Sequence, residues 1–345
     1  MPAGNEGETT KRCPLQPSAP KVRTVNDAAP SIPAVFGRHS LSLRLYPHNE
    51  LSAETIISTL CVQAGLASDV GFDGIMTSEH HGGFAGYMPT PLQVAGFLLH
   101  EMKQGWAAAC PVLLPLRPVA MLAEEVAWLD ARFPQRVGIG VAPGALPLDF
   151  EVMECDIDNA VDEFKRRLPQ LVNLLRGNDL GQLNGDRALH ALSARPIPVI
   201  STAMSKAAVR RAAGAGAGVL YDGGTDLQRV AELSAHYQES GGDGPRILIR
   251  RLWLGPPPHS AFSAQQDVYR SYSSDAAMSY WRDSGWICRE SAEELADDLV
   301  KAIKAADATC CNIRLHAPGI EPSAIAEQIE QIGRNVLPLV RSGLE

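Results

Sequence analysis

The sequence predicts an α/β protein in which eight parallel strands, each followed by a helix, close into a (β/α)₈ TIM barrel. From Leu41 onward, short apolar runs alternate with amphipathic helical patterns eight times. Most of these runs are continuously apolar, which is typical of parallel strands covered by helices. No change in composition divides the repeats into two regions, so a closed barrel over residues 35–345 is favoured above an open doubly wound sheet.

The strands are predicted in order along the chain, each ending where a helical pattern begins. They are Leu41–Tyr46, Gly74–Ser78, Gly105–Leu114, Arg136–Val141, Ile197–Ser201, Gly218–Tyr221, Arg246–Leu254 and Cys310–His316. Between them, Leu122, Val126 and Leu129 share one helical face, and Pro118 suits the first turn of that helix. Two stretches, 142–158 after strand four and 255–291 after strand seven, are too long for simple loops. We expect them to form walls or lids over the strand ends, where barrels place their chemistry.

Residues 1–34 are rich in Pro, Ser, Ala, Asn and Thr and lack apolar periodicity, so they are predicted to be a disordered leader. They contain no apolar signal core, and no run in the chain approaches the roughly 20 apolar residues that cross a bilayer. A cytoplasmic protein without a membrane partner is therefore expected. The net charge of −8 and the absence of a basic stripe argue against nucleic acid as a partner.

The seven cysteines are odd in number and contain no Cys-x-x-Cys spacing, which indicates reduced thiols instead of disulfides or a metal cluster. Glu79, His80 and His81 follow the second strand. Adjacent imidazoles beside a carboxylate can move protons near neutral pH, although hydrogen bonding at the rim is an alternative role. A zinc site would need a third ligand at a recognisable spacing along the sequence. The sequence offers none, so no metal is expected.

A phosphate site is predicted at Ser201–Lys206, after strand five and at the start of the next helix. The N-terminus of a helix presents unpaired N–H groups and a positive dipole. Thr202 and Ser205 could add hydroxyl donors and Lys206 a positive charge, with Ala203 between them, while Ser205 could equally be only a helix cap. In strand three, Pro111 after Cys110 removes a ladder hydrogen bond and therefore predicts a bulge.

Several segments resemble the bacterial luciferase-like monooxygenases. Gly71–His81 resembles their second strand with its Glu-His-His ending. Pro115–Pro118, Arg136–Gly140, Ile200–Ala213 and Ile313–His316 with Val336–Pro338 resemble further family segments in the same order. The likeness covers roughly residues 41–341.

The resemblance implies roles for individual residues. His80 matches a histidine that acts as acid or base near the flavin. Cys110 and Pro111 fall on a bulge whose peptide bond is cis in the family and lies beneath the flavin ring. Val141 stands where luciferase has a phosphate-binding arginine, and Gly140 stands where luciferase has a reactive cysteine. We therefore expect a cis Cys110–Pro111 bond and a flavin phosphate held at Thr202–Lys206.

The function implied is a two-component monooxygenase. A separate reductase would supply reduced flavin mononucleotide (FMN), which with oxygen oxidises a small organic substrate. A homodimer is usual in the family. A deazaflavin-dependent hydride transfer and a non-catalytic flavin-binding protein remain as alternatives. A Schiff-base aldolase is disfavoured because no predicted strand ends in lysine. Trp281 and Trp286 are candidate substrate contacts, and Arg289 and Arg314 are candidate anion contacts.

Overall fold

The computed structural model describes residues 33–272 and 285–345, without the side chains of residues 268–272. Of the predicted leader, residues 1–32 lie outside the described residues, and so does Trp281. In the part of the chain that is described, no helix is both long and apolar enough to cross a membrane.

Eight parallel strands close into a (β/α)₈ barrel, as predicted. They are β1 (Leu41–Arg44), β2 (Gly74–Thr77), β3 (Trp106–Leu113), β4 (Val137–Ala142), β5 (Val199–Thr202), β6 (Gly218–Tyr221), β7 (Arg246–Leu254) and β9 (Cys310–Arg314). Each pairs with the next, and β9 pairs with both β7 and β1. Strands β1 and β9 end two residues earlier than predicted. Leu45 and Leu315 lie beyond the last paired residues but are still buried. The apolar run therefore continues past the point at which the strand ends.

Helices surround the barrel and bury its outer face. They are α1 (Ala53–Asp69), α2 (Pro91–Glu101), α3 (Val119–Arg132), α4 (Pro147–Val152), α5 (Ala160–Leu174), α6 (Arg187–Ala191), α7 (Lys206–Ala215), α8 (Leu227–Glu239), α9 (His259–Tyr272), α10 (Ala292–Ala305), α11 (Pro322–Gln331) and α12 (Leu337–Leu344). A π-turn, Ile332–Val336, separates the last two, next to Pro338, which has no N–H to donate.

Inside the barrel, a small apolar core fills the end at which the strands begin. Met76, Trp106, Ile200 and Ile247 belong to it, and Phe36 packs edge-on against Trp106 with ring centroids 4.9 Å apart. Because this core fills the amino-terminal end, the space that remains inside the barrel lies at the carboxyl ends of the strands.

The two long stretches follow β4 and β7, as predicted, and neither is a plain loop. Residues 142–158 contain α4, and 255–291 contain α9 and a ninth strand, β8 (Trp286–Arg289). Arg251 of β7 pairs with Trp286 and also with Arg314 of β9. Strand β8 therefore continues the edge of β7 that β6 occupies nearer the start of that strand. Strand β8 has only four residues, which was too short a pattern to predict a strand.

Candidate active site at the carboxyl ends of the strands

A cavity of about 390 Å³ opens at the carboxyl ends of the barrel strands. Its lining comes from nearly every strand and from the segment after β4. The lining residues are Arg44, Tyr46, Ser78, Glu79, His80, Tyr87, Pro111, Leu113, Ala142, Pro143, Gly144, Ala145, Leu146, Thr202, Leu220, Asp222, Gly223, Ile249, Arg251 and Arg314. Of the predicted site residues, the structure therefore brings Glu79, His80, Pro111 and Thr202 together around one space.

His80 is held by a buried carboxylate that the sequence did not reveal. Its Nδ1 donates to Oδ2 of Asp149 at 2.7 Å, since an ionised carboxylate can only accept. Asp149 lies on α4 and is 1% exposed, whereas the His80 side chain is 18% exposed. Tyr87 packs edge-on against the imidazole, with ring centroids 4.5 Å apart. The pairing fixes the ring and leaves Nε2 as the nitrogen available for proton exchange.

Glu79 and His81 are more fully occupied than His80. The Glu79 carboxylate accepts hydrogen bonds from the Leu113 N–H and the Arg117 guanidinium, and it lies 3.1 Å from His81 Nε2. The His81 N–H donates to Oδ1 of Asp149 at 2.7 Å. Glu79 thus fastens the end of β2 to the end of β3, and the His81 side chain is not part of the cavity lining. Both residues orient the rim around His80.

The Cys110–Pro111 peptide bond is cis, as predicted. The register of β3 against β4 shifts between Ala109 and Val112, which is the predicted bulge. Arg44 Nη1 donates to the carbonyl of Cys110 at 2.9 Å, and the N–H of Glu79 donates to the carbonyl of Pro111 at 3.0 Å. The bulge is therefore fastened by a side chain of β1 and by the backbone that follows β2, and Pro111 faces the cavity.

Cys110 itself points away from the cavity, towards Gly140. A Cβ at position 140 would lie 2.1 Å from the Cys110 Sγ, so only glycine fits there. Burial raises the pKa of the Cys110 thiol to about 11, which keeps it neutral. Val141 is fully buried among residues on the outer face of the barrel. Neither Gly140 nor Val141 lines the cavity, so the structure does not bring these two predicted residues to the site.

The predicted phosphate segment begins at the cavity and runs out of it. Thr202 lines the cavity and Ala203 is buried. Ser205 accepts a hydrogen bond from the Ala208 N–H at 3.2 Å and so caps α7, while Ser205 and Lys206 are both exposed. The first turn of α7 therefore lies next to the cavity and opens to solvent, an arrangement that suits a phosphate at the mouth.

Three arginines line the cavity, and only Arg314 had been proposed as an anion contact. Arg44 and Arg251 were missed. All three are at most 5% exposed. Their sequence signal is a charged residue inside a continuously apolar strand, which is costly to bury without a partner. Arg314 also stacks its guanidinium over Tyr46 at 3.9 Å from the ring centroid.

Two histidines lie behind the arginines. His316 stacks on Tyr46 at 5.6 Å between ring centroids and contacts His48 edge-on at 4.8 Å. Burial, followed by the charges of Arg314 and His48, holds the pKa of His316 well below its usual range. Burial also lowers the pKa of His48. His316 is therefore neutral beside Arg314 at physiological pH.

The other predicted contacts lie elsewhere. Trp286 stacks on Phe262 with ring centroids 3.5 Å apart, and Arg289 pairs with Asp298. Both line a separate depression next to α10. Neither residue reaches the cavity that holds His80.

Comparison with known proteins gives one family. Residues 45–307 match the luciferase-like monooxygenases. A curated relative, the N-acetyl-S-alkylcysteine monooxygenase of Bacillus subtilis, is 27% identical over 140 residues, which are 39% of this chain and 41% of the relative. The match spans about half or less of the length of these curated relatives, between 34% and 48%.

Solved structures share the fold. The oxygenating constituent of 3,6-diketocamphane monooxygenase from Pseudomonas putida, in complex with FMN, superimposes with a TM-score of 0.70 at 16% identity. The match covers 88% of this chain and 98% of that one. An F420-dependent secondary alcohol dehydrogenase superimposes with a TM-score of 0.67 at 16% identity, covering 88% of this chain and 99% of the other.

Proposed function

Because this chain belongs to the luciferase-like monooxygenase family, we propose that it uses reduced FMN and oxygen to oxidise a small organic substrate. The observation that carries the proposal is the His80–Asp149 pair on the wall of a cavity whose neighbouring wall is the cis Cys110–Pro111 bulge. A proton donor or acceptor in a fixed position and an apolar surface therefore lie at the same opening.

The residues present fit a flavin. Pro111, Leu113 and Leu220 offer apolar contact for a planar ring, and Thr202 offers a hydroxyl near the first turn of α7. That helix begins without an acidic residue in its first turn, so its dipole is free to favour a phosphate. When bound, the reduced flavin supplies the reaction with oxygen, and the protein supplies binding, orientation and electrostatics.

His80 is the residue to which we assign acid–base work. Asp149 holds Nδ1–H and stabilises the ring when Nε2 gains a proton, so His80 can accept a proton from the substrate and return it. Tyr87 and Leu146 line the same cavity. Glu79 acts indirectly, because it holds the ends of β2 and β3 together at the rim of the cavity.

A deazaflavin-dependent hydride transfer is the second candidate, supported by the likeness in fold to an F420-dependent dehydrogenase. The cavity offers the same planar platform to either coenzyme. We also propose that FMN is the preferred cofactor and that a separate reductase delivers it in reduced form. The protein is further proposed to be a homodimer and to be cytoplasmic.

The proposal is tested by thermal shift of the full chain with FMN, riboflavin and a deazaflavin, each oxidised and reduced. A ligand that binds only the native state raises its stability, so the preferred cofactor gives the largest shift. Reduced FMN should give that shift. A shift with the deazaflavin alone would favour the hydride-transfer enzyme over the monooxygenase. No shift with any flavin would contradict both.

A further inference from the structure

Residues 113–117, at the end of β3, form what we call the rim segment. Its first N–H, that of Leu113, donates to the Glu79 carboxylate, and the Arg117 guanidinium at its other end pairs with the same carboxylate. Both ends of the rim segment are therefore joined to the end of β2, next to His80.

The rim segment also supports α4. Leu113 and Leu116 belong to a small apolar core that includes Phe150, which is 1% exposed. Phe150 follows Asp149, the carboxylate that holds His80. A displacement of the rim segment would therefore reach His80 by two routes, through the end of β2 and through α4.

The rim segment has few N–H donors for its own carbonyl groups. Leu114–Leu116 is a single 3₁₀ turn that is buried, and a turn of this length leaves its last carbonyls without a partner inside the helix. Pro115 within the turn and Pro118 after it have no N–H to donate. Since a buried carbonyl without a donor is costly, the rim segment depends on a donor from another element.

Arg167 of α5 supplies that donor. Its Nη1 donates to the Arg117 carbonyl at 2.7 Å and to the Pro115 carbonyl at 2.9 Å, and it lies 3.3 Å from the Leu114 carbonyl oxygen. Its Nε donates to Glu163, one turn earlier on the same helix, at 2.7 Å. The carboxylate fixes the guanidinium from behind, so that one side chain fastens the rim segment to α5.

The neighbouring arginine has no such role. Arg166 donates to the same Glu163 carboxylate at 2.5 Å, but its side chain is 55% exposed, against 18% for Arg167. Within the described part of the chain it donates to no carbonyl of the rim segment. Two adjacent arginines thus share one carboxylate, and only Arg167 holds the rim segment.

We propose that Arg167 is a positioning residue for His80. Arg167 is not among the residues that line the cavity, so it acts through the rim segment, which pairs with Glu79 and supports α4. The assignment of acid–base work to His80 rests on the proposed function, whereas the contacts of Arg167 do not depend on a flavin.

The test measures the hydrogen bond between His80 and Asp149 in the full chain, without substrate or cofactor. An imidazole N–H that donates to a buried carboxylate gives a resolved proton signal in NMR, and His80→Gln identifies this signal by removing it. In Arg167→Gln the signal should broaden or disappear. The amides of Leu113 and His81 should exchange about ten- to a hundredfold faster, as expected when a charged hydrogen bond is lost and local opening becomes easier.

Arg166→Gln is the matched control and should leave the His80 signal and both amides as in the wild type. Arg167→Lys keeps a charged donor for the carbonyls without the second contact to Glu163, so its effect should lie between those of the wild type and Arg167→Gln. If Arg167→Gln does not fold, the comparison of Arg167→Lys with Arg166→Lys decides the question. The amides of Leu168 and Leu171 should exchange equally in all variants, which shows that α5 stays folded.

An unchanged His80 signal and unchanged exchange at Leu113 and His81 in Arg167→Gln would overturn the proposal. If the same variant also unfolded at lower urea, Arg167 would be a stabilising residue of α5 alone. Equal effects of Arg167→Gln and Arg166→Gln would overturn the proposal as well, because Arg166 does not touch the rim segment.

The two proposals can fail separately. Absence of flavin binding, with the His80 signal lost in Arg167→Gln, would remove the monooxygenase and leave the positioning role of Arg167. Binding of reduced FMN, with the His80 signal unchanged in Arg167→Gln, would leave the monooxygenase and remove that role.

Discussion

Two sides of one cavity are built in different ways. On the side of β2 and β3, the acidic and basic side chains form two pairs, His80 with Asp149 and Glu79 with Arg117. On the side of β1, β9 and β7, cations stand side by side, and Arg44 contacts neutral groups among the described residues. The first arrangement suits proton transfer by a fixed ring, and the second sets three guanidinium groups at one level of the barrel wall.

The two sides meet at Arg44, which bonds to Ser78 at the end of β2 and to the Cys110 carbonyl of the bulge. The comparison therefore separates a side whose imidazole is positioned by a carboxylate from a side that is lined with arginines.

The largest expected effect is on the His80 side. His80→Ala should lower turnover by about 10²–10⁴-fold, because that is the usual contribution of a positioned acid or base, while binding of reduced FMN is nearly unchanged. Turnover is measured as oxygen uptake coupled to substrate oxidation, and binding by thermal shift.

His81→Gln is the matched control, since the His81 side chain faces Glu79 and not the cavity. It should cost less than tenfold in turnover. Equal losses in the two variants, with unchanged pH profiles, would assign both histidines to the structure of the rim.

Removing the carboxylate behind His80 should have a smaller effect. Asp149→Asn should lower turnover roughly ten- to a hundredfold, as when groups that orient a functional imidazole are lost. Because Asp149 acts through His80, the double variant should lose no more than His80→Ala alone. Asp149→Asn should also move the pH profile of turnover. Additive losses with an unshifted profile would mean that Asp149 only stabilises α4.

The next prediction tests whether the cofactor phosphate binds at the first turn of α7. Replacing Ser205 and Lys206 by alanine should weaken FMN about tenfold and riboflavin hardly at all, since only FMN carries a phosphate for the first turn of α7. Both residues are exposed, so the fold should tolerate the change. Equal weakening of both ligands would place the phosphate elsewhere.

The smallest expected effect is on the pH dependence of stability, and it comes from His316 beside Arg314. The pKa of His316 is lowered in the folded state, so the unfolded chain binds a proton first as the pH falls. The stability that His316 contributes is complete above about pH 6.5 and is lost as the pH falls below it. Between pH 7 and 5.5, His316→Asn should therefore lose less unfolding free energy than the wild type.

Urea denaturation at several pH values measures this difference. His190→Gln, at an exposed position on α6, is the control and should follow the wild type. The same pH dependence in His316→Asn as in the wild type would show that His316 does not carry it.

The fold and one half of the site could be predicted from the sequence. Eight apolar runs predict eight strands, and His80, Pro111 and Thr202 were found because each directly follows, or interrupts, such a run. Asp149 could not be assigned, because it lies 69 positions from His80, on a helix within a stretch for which only a wall or lid had been predicted.

Arg44 and Arg251 were missed for a different reason. Their alignment with Arg314 depends on the register of three strands, and a shift of one residue would turn a side chain from the cavity to the helices, as Arg250 demonstrates. The direction of Val141 depends on register in the same way, and its side chain faces the outer core.

A crystal structure of the protein with FMN tests the central claim, that His80 and the bulge at Pro111 form the flavin site. The account predicts the flavin ring against Pro111 within reach of His80, and its phosphate at the first turn of α7. A phosphate among Arg44, Arg251 and Arg314, or a flavin ring outside the cavity, would contradict it.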